Sequence, residues 1–313
     1  MKVGIIGAGS IAGTMAGTIR EMDCAQNYAV AARDYGRAAE FTQTYGFEKA
    51  YGSYEELVED AGVELVYIAT PHSHHYEHIK LCLNHGKHVL CEKSFTVNES
   101  QAREVLALAR EKKLLLTEAI WTRYMPMRKT LDSVLSSGVI GRPYMLTANL
   151  GYIISGKERI MRPELAGGAL LDVGIYPLNF ASMVFGDEVD SITGTAVMTE
   201  TGVDAQNSIT ITYKDGKMAA LCSSAMGLSD RRGIIYGDNG FIEVENINNC
   251  EGIRVYDRSR NMIASYDTPK QISGYEYEVE ACLRAIKEGA LECPEMPHEE
   301  TLRMMGWMDE LRR

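Results

Sequence analysis

Proline is scarce in this chain (8 of 313 residues), tryptophan scarcer (2), and basic side chains are outnumbered by acidic ones, 32 to 43. With 45% hydrophobic residues and few prolines, the composition excludes a disordered or low-complexity polymer. A net charge of −11 and a pI of about 5.2 disfavour nucleic acid or an anionic membrane as the main partner. An anionic ligand would need a local basic pocket. Seven cysteines are present, none paired as CxxC, which suits reduced and mostly buried thiols. The N-terminal "MKVGIIGAGSIAG" lacks the basic region and cleavage site of a secretory signal. No apolar run is expected to cross a bilayer. The expectation is a cytoplasmic protein whose partner is a small molecule.

At 313 residues the chain is long for one core, so two domains are expected. The first third alternates apolar runs, "KVGII" (2–6), "YAVAAR" (28–33), "ELVYIAT" (64–70), "KHVLCE" (87–92) and "LLLTEA" (114–119), with helical stretches. The clearest helix is 98–113, with Asn98 as N-cap and basic residues at its end. Such alternation predicts a doubly wound parallel sheet. After about residue 122 the texture changes to strands with tight turns at Asp215-Gly216 and Asn239-Gly240, plus a few helices. The fold class is thus α/β. A Rossmann domain over 1–121 precedes an α+β domain over 122–313 with a large, open, mainly antiparallel sheet. The last helices are free to pack back on the first domain.

"VGIIGAGSIAG" (3–13) follows the first strand and opens the first helix. Gly7, Gly9 and Ala12 fit the GxGxxG/A pattern: a tight turn, close approach of backbone to a pyrophosphate, and tight helix–strand packing. Ser10 and Ile11 complete a cradle at the positive end of the helix. The second strand ends in "AARDYGRA". Arg33 and Arg37 suit a 2′-phosphate, and charge-assisted contacts contribute roughly 1.5–3 kcal/mol each. NADP(H) is therefore expected over NAD(H). The alternative is that both arginines merely cover a surface turn while Asp34 selects NAD.

"TPHSHHYEHI" (70–79) holds four histidines within seven positions. A metal site needs three or four converging ligands, and no carboxylate or thiolate is suitably spaced, so no metal is expected. Thr70 and Pro71 form a turn at the carboxyl edge of the sheet, where doubly wound folds bind ligands. His72 and His75 are expected to border the cofactor, with Glu92 and Lys93 beyond the next strand. His74 and His78 are expected to face solvent or cap the helix. Trp121 and Arg123, with Tyr124, follow the last strand of the first domain and are candidates for lining a substrate pocket.

The segment "TPHSHHYEHI…HGKHVLCEKS", the glycine loop and "AGGALLDVGIYPLN" (166–179) together resemble the glucose–fructose oxidoreductase/inositol dehydrogenase/MocA family. "EAIWTRYMP" and "DVGIYP" bring the chain nearest to its dihydrodiol and xylose dehydrogenase branch. The resemblance covers essentially the whole chain. One departure is plain: the family's Glu-Lys-Pro is Glu92-Lys93-Ser94 here, and a cis bond costs about 2.5–4 kcal/mol outside proline.

The resemblance implies a catalytic set of Lys93, Asp172 and Tyr176, with Tyr176 where inositol-type members carry histidine. Hydride transfer at nicotinamide must be matched by proton transfer at the substrate oxygen. A tyrosine is a poor base at neutral pH unless an ammonium favours its phenolate. Tyr176 is then the acid/base, Lys93 polarises the carbonyl oxygen, and Asp172 orients the substrate hydroxyl or Lys93. The family arrangement also brings Tyr152, Arg159 and Arg162 towards the pocket. It implies an NADP(H)-dependent oxidoreductase of a secondary alcohol or carbonyl in a small sugar, polyol or cyclic diol. It further implies a homodimer or homotetramer built on the open sheet. The rival is a non-catalytic dinucleotide-bound sensor of the same fold.

Overall fold

The computed structural model describes residues 1–313. Two compact units emerge: Met1–Tyr124 with Gln271–Met305, and Met125–Lys270 with Gly306–Arg313. The first break falls at 124/125, where 121/122 was expected, and 271–305 returns to the first unit. The reason is long-range bonding. Leu116 donates its N–H to the Leu291 carbonyl, and His298 Nε2 lies 2.9 Å from the Leu116 carbonyl.

The first unit runs β1 (Lys2–Ile6), α1 (Ser10–Arg20), β2 (Gln26–Ala31), α2 (Tyr35–Tyr45), β3 (Lys49–Tyr51), α3 (Tyr54–Glu59), β4 (Leu65–Ile68), α4 (His72–Asn84), β5 (His88–Glu92), α5 (Glu99–Lys112) and β6 (Leu116–Ala119). Its six strands are all parallel in the order β3-β2-β1-β4-β5-β6, the doubly wound dinucleotide-binding order. Val3, Ile5, Ile6, Leu65, Val66, Ile68, Val89 and Leu90 are all buried, because helices cover both faces. Asn98 caps α5 by accepting the Gln101 N–H at 2.9 Å, as its position before the apolar repeat predicts.

The second unit holds α6 (Pro126–Ser136), β7 (Pro143–Gly151), α7 (Glu158–Met161), a π-helical turn (Leu170–Gly174) leading into α8 (Ile175–Phe185), and seven more strands. These are β8 (Val189–Met198), β9 (Asp204–Tyr213), β10 (Met218–Ser224), β11 (Gly233–Gly237), β12 (Gly240–Glu245), β13 (Gly252–Asp257) and β14 (Met262–Asp267). They form one sheet, β14-β13-β12-β11-β7-β10-β9-β8, antiparallel except for β7 beside β10. On its inner face Leu146 lies opposite Ile235, Leu221 opposite Ile209, and Ile242 opposite Val255, and all six are buried. The α8 helix packs on β7 and β10. The stretch Pro163–Phe185 is, against expectation, long and apolar enough for a membrane span (mean hydropathy 1.3). Since 89% of its span-length window is buried within the protein, it is a core helix. Two last helices follow, α9 (Glu276–Glu288) in the first unit and α10 (His298–Leu311), which crosses from the first unit to the second at Met305/Gly306.

Candidate active site

The glycine loop has the features a dinucleotide requires. Gly7 has φ +101°, and a Cβ there would come within 2.9 Å of the Ala69 carbonyl oxygen. A Cβ built on Gly9 meets nothing within 4 Å, so the backbone is open to a ligand. Gly9 is also the N-cap of α1 and offers no side-chain acceptor, which leaves the first N–H groups of an eleven-residue helix aimed outwards. Ser10 is exposed, Ile11 half-buried, and Ala12 fully buried beneath them. These residues fit a pyrophosphate.

At the end of β2, Arg33, Asp34 and Arg37 are exposed. The Asp34 carboxylate caps α2 by accepting the Arg37 N–H at 2.9 Å. The Arg37 guanidinium reaches back to the Ala8 carbonyl in the glycine loop, at 3.3 Å. The acidic side chain is therefore committed to its helix, while the Arg37 guanidinium borders the loop and Arg33 stands exposed just after the strand.

The histidines are arranged differently from expectation. His75 is fully buried, with Nδ1 2.8 Å from the Ser94 carbonyl oxygen and Nε2 2.8 Å from that of Thr70. It has no surface to offer a cofactor. Burial pulls its pKa down to about 4, against the carbonyls, which favour the charged ring. His72 is buried as well, edge-on to His75 with ring centroids 5.8 Å apart. The first turn of α4 encloses the His75 ring completely, whereas His72 keeps 6% of its surface exposed. His74 and His78 are half-buried and stack on one another, and His78 Nδ1 lies 3.0 Å from the Thr70 hydroxyl. Neither is a plain solvent-facing side chain. Pro71 is the N-cap of α4. No three His, Cys, Asp or Glu side chains converge as a metal-binding group.

Lys93 follows β5 at the carboxyl edge of the parallel sheet and is half-buried. The Lys93–Ser94 bond is cis. The flanking residues are held by buried polar groups. Tyr67 donates its hydroxyl to the Glu92 carboxylate, and Phe95 donates its N–H to Glu118 Oε1 at 3.1 Å. Glu118 and Glu278 are fully buried. Burial pushes the Glu118 carboxyl up to about 7, and burial with the Glu92 charge pushes Glu278 well above the usual range.

Trp121 and Arg123 are both mostly buried in the first unit. Trp121 stacks on Tyr275 (centroids 4.3 Å, planes 17° apart), and Arg123 is buried in an ion pair with Glu300 at 2.7 Å. They join the returning segment to the rest of the first unit. Tyr152, in the second unit, is half-buried and accepts a hydrogen bond from Asn248 at 3.0 Å.

Asp172 and Tyr176 also belong to the second unit, whereas Lys93 belongs to the first. Asp172 lies in the π turn and Tyr176 in the first turn of α8, both buried. Asp172 Oδ1 accepts from Arg159 Nη1 at 2.6 Å, a pair with the carboxylate enclosed and the guanidinium partly exposed. Arg162 is paired instead with Glu158 and Glu164. The start of this helical run is fixed by Asp204, which accepts the Leu170 N–H at 2.6 Å and an Asn207 amide N–H at 3.1 Å. Gly168 (φ +109°) makes room for it, since a Cβ would lie 2.1 Å from Asp204 Oδ1. Glu118 and Asp204 were not picked out from sequence. Glu118 had a signal, a charge inside an apolar strand run. Asp204 had none, being 34 residues from the N–H it holds.

Comparison with known proteins agrees with this architecture. Residues 1–120 match the GFO/IDH/MocA oxidoreductase family model with its NAD-binding Rossmann fold, and residues 129–243 match the GFO/IDH/MocA C-terminal domain. Trans-1,2-dihydrobenzene-1,2-diol dehydrogenase of Xenopus tropicalis is 33% identical, over 99% of this chain and 96% of its own length. The Homo sapiens protein of the same name is 34% identical, over 100% and 96%. Among solved structures, KijD10, a 3-ketoreductase from Actinomadura kijaniata in complex with NADP and TDP-benzene, superimposes with a TM-score of 0.92 at 25% identity, covering 100% of this chain and 97% of that one. An aldose-aldose oxidoreductase from Caulobacter crescentus shares the fold (TM-score 0.90, 18% identity, covering 100% and 96%). These likenesses favour an enzyme over a non-catalytic sensor. The chain belongs to the GFO/IDH/MocA family of nicotinamide-nucleotide-dependent oxidoreductases.

Proposed function

We propose that this oxidoreductase acts on a secondary alcohol or carbonyl of a small sugar, polyol or cyclic diol, and that it prefers NADP(H). The observation that carries the reading is the polar hardware set into an apolar core helix: Asp172, pinned by Arg159, and Tyr176 in the next turn. When bound at Gly7–Ala12, the nicotinamide nucleotide supplies or accepts the hydride. Tyr176 donates the proton to the substrate oxygen in reduction and removes it in oxidation. Lys93 supplies positive charge that stabilises the developing alkoxide. Asp172 keeps a fixed orientation because Arg159 holds one of its oxygens, which suits a carboxylate that orders a substrate hydroxyl. The diol named for the curated relatives and the ketone chemistry named for the ketoreductase both fit this reading.

The cofactor preference is supported by Asp34, whose carboxylate serves α2, and by the two arginines beside it. A homodimer or homotetramer is supported by the exposed apolar side chains Val197, Met218 and Met262 on the sheet of the second unit; sedimentation of the free protein as a monomer would refute it. Seven free cysteines suit the reducing cytoplasm, a placement that fractionation of the native host would check. The central test is turnover of a panel of sugars, polyols and trans-1,2-dihydrobenzene-1,2-diol with NADP⁺. Tyr176→Phe is expected to lower kcat by about 10²–10⁴-fold while cofactor binding is kept. Undiminished turnover in that variant would remove Tyr176 from the chemistry.

A further inference from the structure

His75 has three conceivable uses. Contact with the cofactor requires surface, and it has none. Ligation of a metal requires a ring nitrogen, and carbonyl oxygens lie 2.8 Å from both. Proton exchange with substrate requires access, and the ring is enclosed. What remains is mechanical, and its partners show where the force goes. Ser94 is the residue after Lys93. Thr70 stands in the turn after β4, and that turn and the Lys93 loop leave neighbouring strands at the same edge of the sheet. The β4–β5 ladder ends at the Ile68–Cys91 pair. Beyond it the imidazole spans the two diverging segments.

We propose that His75 is a positioning residue for Lys93, bracing the Ser94 carbonyl against the turn at Thr70. The proposal rests on the reading of Lys93 as part of the catalytic set. The loop then has a tether on each side of the Ser94–Phe95 peptide: His75 holds the carbonyl of Ser94, and Glu118 on β6 accepts the N–H of Phe95. A neutral imidazole carries one N–H, so both bonds are complete only in the charged ring, which burial opposes. The bond that matters for Lys93 is the one from Nδ1–H to Ser94. A misplacement of about 1 Å at a reacting group can cost about 100-fold in rate, so a loosened tether is expected to show in kcat.

Three replacements separate the two bonds. His75→Phe keeps a ring and loses both bonds. His75→Asn places an amide near Nδ1 and can still donate to Ser94. His75→Gln places it near Nε2 and reaches Thr70. The assay uses the full-length protein, NADP⁺ and trans-1,2-dihydrobenzene-1,2-diol, with NADPH binding followed by fluorescence. His75→Phe is expected to lower kcat by about 100-fold with little change in NADPH affinity. His75→Asn should recover most of the loss, and His75→Gln should not. In a Lys93→Ala background, His75→Phe should add little, because it acts through the missing ammonium. Wild-type kcat in His75→Phe, or equal losses in all three variants that follow only their melting temperatures, would overturn the proposal. If His75→Phe does not fold, the order of the Asn and Gln variants decides. Full turnover in Lys93→Ala would instead overturn the reading beneath it.

Discussion

The two units handle polar groups in opposite ways. The first buries them: Glu92, Glu118, Glu278 and His75 all lie inside a unit whose parallel strands are covered on both faces. The second buries few and leaves one face of its sheet uncovered, with Thr193, Thr195, Gln206, Ser208 and Cys222 alternating with an apolar inner row. The difference follows from strand connection. Parallel strands need crossover helices, which cover both faces, whereas hairpins leave a face free. A polar group that must sit near the edge of a covered sheet has to be enclosed and satisfied by neighbours. In the second unit the comparable task is done by one pair, the enclosed Asp172 carboxylate with the 40%-exposed Arg159 guanidinium, at the head of a core helix.

Glu118 gives the largest lever on this contrast. Its carboxyl is raised from an ordinary 4.5 to about 7 by burial. The folded state therefore holds a proton that the unfolded state releases, and stability falls as pH rises from about 4.5 to about 7. Glu118→Gln keeps an oxygen for the Phe95 N–H and removes the titration. Relative to wild type it should be unchanged near pH 4.5 and more stable by up to about 3 kcal/mol above pH 7.5, measured by urea unfolding at both pH values. Equal stability of the two proteins at pH 8 would mean that this part of the first unit tolerates the charge.

Arg159→Ala tests the second unit in the same terms. It removes the guanidinium paired with the enclosed Asp172 carboxylate. Because the guanidinium is 40% exposed, a loss of about 2 kcal/mol is expected, below that for a fully buried pair. Arg159→Ala/Asp172→Asn should recover part of the stability and none of the turnover. A single variant as stable as wild type would show that water compensates Asp172. The smallest effect belongs to the surface. Arg33→Ala should weaken NADPH binding about tenfold, or about 1.4 kcal/mol, and leave NADH unchanged in a fluorescence titration. Equal loss for both cofactors would assign Arg33 a role common to both nucleotides.

The same contrast explains how much could be read from sequence. In the first unit, β1, β4 and β5 announce themselves as apolar runs and the glycine loop as a motif, because each is a local signal. The three-residue β3 (Lys49–Tyr51) carries too little pattern to be seen. Segment 271–305 returns to this unit through contacts such as Arg123–Glu300, at a separation no local pattern reports. His75 and His72 were legible as an unusual cluster but not as buried. Their direction depends on where Thr70 and Ser94 meet in space, and the same holds for Trp121 and its partner Tyr275. In the second unit Asp172 and Tyr176 were found through resemblance. The Asp204 cap was invisible because its partner is supplied by a different element.

The lone parallel pair in the second sheet has a consequence for assembly. The strands β8–β10 are chain neighbours, and so are β11–β14, so each ribbon closes through local turns. The β7 strand sits between the two ribbons and pairs with β10 and β11, whose residues begin more than 70 positions downstream. It leaves the ribosome first and finds its neighbours last. Pairings of large sequence separation are slow because chain entropy is lost before contact energy is gained. Closure on β7 should therefore set the folding rate of this unit, and β7, with its row of Leu146, Ala148 and Leu150, is the strand left waiting for partners during synthesis.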